Sequence, residues 1–118
     1  VDQGSPFQVT GRGDGMDDQQ ISNEVGTRLL FENERVRVWD LQLEPGEATG
    51  MHAHHSDYLY VVIGDGELQR RDADGSLGPV KEMADGDVVF RDVSDEDVHE
   101  AVNAGPGAWR NIVVELKK

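Results

Sequence analysis

From residue 27 onward the chain is broken at short intervals by turn formers: Pro45-Gly46, Gly64-Asp65-Gly66, Asp74-Gly75 and Ala84-Asp85-Gly86. This rhythm limits what it can fold into, because each turn ends a run before it can become a helix of useful length. The runs between are rich in β-branched and aromatic residues and cover 27–31, 34–43, 50–54, 58–63, 67–71, 87–90, 97–103 and 109–116. None carries a sustained helical period, so the expected class is all-β, a sandwich or a barrel. Within 34–43, Val36 and Val38 hold one phase while Trp39, Leu41 and Leu43 hold the other, which predicts a bulge or bend midway. Residues 1–15 mix glycine and polar groups without a period, and the Arg12-Gly13-Asp14 tripeptide there is read as coincidence. Residues 16–25 are expected to form one or two helical turns. The chain's 118 residues hold one domain, expected as an N-terminal arm over 1–26 and a barrel over 27–118.

Cysteine is absent, which excludes disulfides, thiolate zinc sites, iron–sulfur clusters and cysteine nucleophiles. Acidic side chains outnumber basic ones by 24 to 11, for a formal net charge of −13. A field of that sign repels phosphate, so neither nucleic acid nor an anionic membrane is an expected partner. No apolar run approaches the roughly 20 residues of a membrane helix, and no basic–apolar–small leader is visible. The expectation is a soluble, cytoplasmic protein.

Three of the four histidines fall in one short stretch, at positions 52, 54 and 55. Alternate residues of a strand share a face, so His52 and His54 point the same way and His55 points the other way, toward the surface. His99 lies in a run where it shares a face with Ala101 and Asn103, and Ala101 is small enough to leave room beside a ligand. Three imidazoles from two strands suffice to hold a transition metal with open coordination positions. Histidine favours such metals over Mg or Ca but does not choose among Fe, Mn, Ni and Zn.

The frame around these histidines resembles the cupin family. Gly46, five residues, His52-Ala53-His54, then Asp57, six residues and Gly64 resemble its first motif, and His99, three residues and Asn103 resemble the close of its second, after a turn at Gly86. The resemblance spans about half the chain and implies a double-stranded β-helix, the jelly-roll barrel, with a metal inside. It is nearest to small bacterial cupins associated with β-alanine degradation, through Glu44-Pro45-Gly46, His52, His54, Asp57 and Tyr58. The family's carboxylate ligand is a Glu, and Asp57 stands at its spacing from Gly64. Two residues separate Asp57 from His54, one fewer than the family has, and an unbroken strand would turn it away. A turn at His55-Ser56 would restore the direction. Asp57 is therefore either a fourth ligand or a group outside the ligand set. The Pro-x-Gly of the second motif is missing; the acidic stretch 92–98 stands there and is expected to be a solvated turn.

Tyr58 and Tyr60 share a phase and are candidate proton donors, with aromatic packing as the plainer role. Trp39, Phe90 and Trp109 are expected in the core or a pocket wall. Arg37, Arg91 and Arg110 are the cations expected to reach a substrate carboxylate, unless surface ion pairs hold them. No Gly-x-Ser-x-Gly elbow supports a serine nucleophile. The resemblance covers more than one outcome, and the cost of keeping an open three-histidine site favours a metal-dependent enzyme on a small molecule. With Fe(II) it would be a dioxygenase-type oxidoreductase; with Zn, Mn or Ni, an isomerase, lyase or hydrolase. The alternative is a non-catalytic ligand-binding or sensing module. A homodimer is expected by the same resemblance.

Overall fold

The computed structural model describes residues 21–118. Among these residues nine strands follow one another: β1 (Arg28–Glu32), β2 (Val36–Leu43), β3 (His52–His54), β4 (Tyr58–Val62), β5 (Gly66–Asp72), β6 (Leu77–Met83), β7 (Val88–Arg91), β8 (Asp97–Asn103) and β9 (Trp109–Leu116). They form two antiparallel sheets, one in the order β1-β2-β9-β4-β7 and the other β3-β8-β5-β6. The described residues contain no helix. This is the cupin double-stranded β-helix that the motifs imply.

Alternation decides which side chains meet between the sheets. Strand β9 pairs residue by residue with β2 and β4, so Trp109, Asn111, Val113 and Glu115 face inward with Leu43, Leu41, Trp39 and Tyr58. Two apolar clusters result: Val25, Trp39, Tyr58, Val93 and Val113 beside the histidines, and Leu41, Leu43, Val62 and Trp109 at the other end. Burying one tryptophan removes about 200 Å² from water, a gross gain of about 5 kcal/mol before entropy is charged. Gly66 makes room for one of them, since a Cβ there would lie 2.7 Å from Trp109 Cε3. On the other side of the five-stranded sheet, Val38, Leu59, Val61, Ile112 and Val114 form an apolar outer face, with Val88 and Phe90 exposed at its edge.

Several expectations need correction. Strand β2 is unbroken against β9; the irregularity lies in its other neighbour, between Leu29 and Phe31 of β1. The phase change within β2 has another cause. Asp40 faces outward, yet the Arg110 guanidinium and Gln42 cover it, leaving it 1% exposed. Residues 21–25 are not helical: Ser22 bridges His52 in parallel, taking the Met51 carbonyl and giving its own to the Ala53 N–H. Val25, on the arm side of the expected boundary, is 2% exposed in the core, so the barrel's packing begins before residue 27. The remainder of the expected helix, residues 16–20, and the Arg12-Gly13-Asp14 tripeptide lie outside the described residues. Phe90 is not a pocket wall; it stands half exposed on the outer face.

Candidate metal centre

Strand β3 lies against β8 so that His52 is directly opposite His99 and His54 opposite Asp97. Cross-strand neighbours on one face stand about 5 Å apart, which gathers all three rings without any loop contribution. Their centroids are 4.7–5.1 Å from one another, and each residue is buried, at 4%, 2% and 8% exposure for His52, His54 and His99. Each offers a ligand atom within 4.8 Å of the others.

In every ring it is Nδ1 that faces an oxygen. His52 Nδ1 lies 3.0 Å from the Gly50 carbonyl, which can only accept, so Nδ1 carries the proton. Gly50 reaches that position through a left-handed φ of 85°. His99 Nδ1 is 3.2 Å from Asp97 Oδ2, and His54 Nδ1 is 4.0 Å from Glu115 Oε2. Neither makes an aligned hydrogen bond, leaving two buried ring nitrogens unsatisfied. Nε2 is then the nitrogen His52 has left to offer, with the Gly50 carbonyl orienting its ring, while the Asp97 and Glu115 carboxylates lie near Nδ1 of His99 and His54 without a hydrogen bond.

Burial, reinforced by the neighbouring imidazoles, disfavours protonation. It holds His54 down to about 3 and His99 to about 4, and it lowers His52. Three buried imidazoles held in the neutral form, each with a ligand atom within 4.8 Å of the others, fit a divalent transition metal. Asp97 is desolvated too, but hydrogen bonds from Arg70 and the proximity of His99 outweigh that and keep it ionised, at about 2. Arg70 grips it through both terminal nitrogens, at 2.6 and 3.2 Å. Glu115, 3% exposed, is held by Arg37 Nε at 2.8 Å and the Trp39 indole at 2.9 Å.

Asp57 is not in this group. The chain turns between β3 and β4, and the Asp57 carboxylate accepts the Val93 N–H at 2.7 Å, tying the strand corner to the loop before β8. His55 faces outward as expected, 3.1 Å from Asn23 Oδ1. The acidic stretch 92–98 is a turn only in part: its Asp97 opens β8 and joins the site. Period-two alternation could have found this residue, since Asp97 and His99 share a face. Glu115, Arg37 and Arg70 reach the site only through strand pairing and left no local signal.

The histidines open onto a cavity of about 240 Å³ between the sheets. Tyr58 stacks on His54 at 3.8 Å between centroids, and Tyr60, Leu41, Leu68, Met83 and Val113 supply more of the wall. Burial raises Tyr58 to about 12, so at neutral pH it is a phenol, a donor rather than a base. Of the three candidate arginines, Arg91 lines the cavity; Arg37 is held by Glu115 and Arg110 by Asp40.

Comparison with solved structures supports a place in the cupin superfamily. A cupin domain from Bordetella pertussis Tohama I matches with a TM-score of 0.68 and 25% identity, over 86% of this chain and 100% of that one. A protein with a double-stranded β-helix domain from Klebsiella pneumoniae matches at 0.60 and 25%, over 82% and 76%. An RmlC-like cupin from Methanocaldococcus jannaschii matches at 0.60 and 18%, over 89% and 94%. No family model and no curated protein matches the sequence.

Proposed function

We propose that this protein is a metal-dependent enzyme acting on a small molecule, with one divalent transition metal on His52, His54 and His99. The observation that carries this reading is the set of three buried, neutral imidazoles converging in the wall of a cavity sized for a metabolite. The ion would supply a Lewis acid, or redox chemistry if it is Fe(II). The protein's share is to place the three rings by the pairing of β3 with β8, to fix His52 on the Gly50 carbonyl, to exclude bulk water with the Trp39–Val113 cluster, and to offer the Tyr58 phenol as a donor. Fe(II) would make it a dioxygenase; Mn, Ni or Zn would suit isomerisation or elimination.

Cupin-fold proteins include a sugar phosphate isomerase from Silicibacter pomeroyi and a predicted oxalate decarboxylase from Thermotoga maritima, likenesses of 24% identity that bear on the fold alone. The resemblance to cupins associated with β-alanine degradation is carried as the reading of the subgroup. Chelation should abolish turnover, and one of Fe(II), Mn(II), Ni(II) or Zn(II) should restore it better than the rest. Ligand binding without product under all four metals would leave the binding-module alternative.

We also propose a cytoplasmic homodimer. Its supporting feature is the outer face of the five-stranded sheet, where Val38, Leu59, Val61, Ile112 and Val114 form an apolar patch. A two-fold partner would present the same patch to it, sparing both from water.

A further inference from the structure

The cavity reverses the charge balance of the chain. Among its lining residues are three cations, Arg70, Lys81 and Arg91, and one carboxylate, Glu100, whereas the whole sequence holds 11 basic and 24 acidic side chains. Glu100 is spent on Arg71, at 2.8 Å, and Arg70 on Asp97 and Asp72, at 2.6 Å each. What remains in the cavity is Lys81 and Arg91. Most other described cations, Arg28, Arg37, Arg110 and Lys117 among them, sit in ion pairs; these two sit in none with a described residue. Arg91, half-buried and without an ion-pair partner among the described residues, is the cation that an anion entering the cavity would meet, with Lys81 nearer the solvent.

Their placement says where that anion lies. Arg91 on β7 is directly opposite Tyr58 on β4, on the inner face, and Tyr58 in turn stacks on His54. The guanidinium is half-buried one side chain away from the histidines, and its charge is felt by both Tyr58 and Tyr60. Lys81, on the inner face of edge strand β6, is exposed at the mouth. The Tyr58 ring stands between Arg91 and His54, and Leu41, Leu68 and Met83 give the same cavity apolar wall.

We infer that the substrate is a small organic acid whose carboxylate is held by Arg91, with Lys81 at the entrance, while the rest of the molecule lies on the apolar wall toward the three histidines. This rests on the cavity being the working site, as proposed above, and names the substrate class. An arginine fork matches a carboxylate through two parallel hydrogen bonds, a fit that a neutral amide or alcohol cannot repay.

The test uses matched acids and amides, butyrate against butyramide and 3-hydroxybutyrate against its amide. Binding is measured by calorimetry on the full chain, once loaded with Zn(II) and once treated with chelator. Each acid should bind at least about tenfold more tightly than its amide, the margin expected of a charge-assisted pair. Arg91→Gln should erase that preference while metal stoichiometry stays unchanged, and Arg91→Lys should keep part of it. Equal binding of acid and amide, no binding by either acid, or an acid preference that survives Arg91→Gln would each overturn the inference. Failure of the metal reading looks different: the protein would take up no metal, yet the Arg91-dependent preference would persist in the chelated sample.

Discussion

Lowering the pH should unfold the metal-free protein by a route that can be worked from the site. His54 and His99 are held at about 3 and about 4 in the folded state, against an unfolded value near 6.5. Between those limits the unfolded chain binds protons that the folded chain refuses, so stability is full above about pH 6.5 and falls as pH falls. At pH 5 each of the two costs about 2 kcal/mol relative to neutral pH, about 4 together, and His52 adds in the same direction. That is a large part of the 5–15 kcal/mol a domain commonly has. The assay is urea unfolding of chelator-treated protein at pH 7.5 and pH 5.0, followed by the fluorescence of the buried Trp39 and Trp109. The free energy should drop by about 4 kcal/mol or more, and His99→Asn should shrink the drop by about 2. His55→Gln, on the exposed ring, should leave it as it was. An unchanged free energy of unfolding at pH 5.0 would refute the buried neutral cluster.

Further outcomes are expected elsewhere. Asp57→Ala should leave metal affinity within about twofold and cost about 1 kcal/mol of stability, the loss of one acceptor for the Val93 N–H; a tenfold or greater loss of metal in a calorimetric titration would return Asp57 to the ligand set. Gly66→Ala should destabilise by about 1–3 kcal/mol in chemical denaturation, because the new methyl meets the Trp109 ring. Sedimentation should give a dimer that Val61→Glu converts to monomer, and a wild-type chain sedimenting as a 13.0 kDa monomer would end that proposal.

Strands β8 and β9 could be read from the sequence with the bounds the structure gives them: Trp109–Leu116 alternates between buried and more open positions, and His99 and Asn103 mark the buried face of Asp97–Asn103. Strand β6 could not. Leu77–Met83 carries Gly78 and Pro79, and its apolar Leu77 and Val80 face water at a sheet edge, so no alternation marks it. Sequence patterning reports burial, and an edge strand with little of it is silent. The three histidines were legible by type and phase. The direct opposition of His52 and His99 across β3 and β8, and the nearness of Glu115 to His54 from a strand some sixty residues away, come from long-range pairing that no local pattern encodes. Asp57 was misleading for the opposite reason: its spacing fits the motif, but the corner it occupies offers its carboxylate a closer partner in the Val93 amide.

The central claim is that His52, His54 and His99 hold one metal ion, and metal analysis of the His52→Ala/His99→Ala double variant beside the wild-type chain tests it most directly. The wild type, dialysed against Zn(II) and then buffer, should retain about one ion per chain, and the double variant should retain almost none while keeping its β-sheet circular dichroism. A folded double variant that still carries a full equivalent of metal with unchanged affinity would place the site elsewhere.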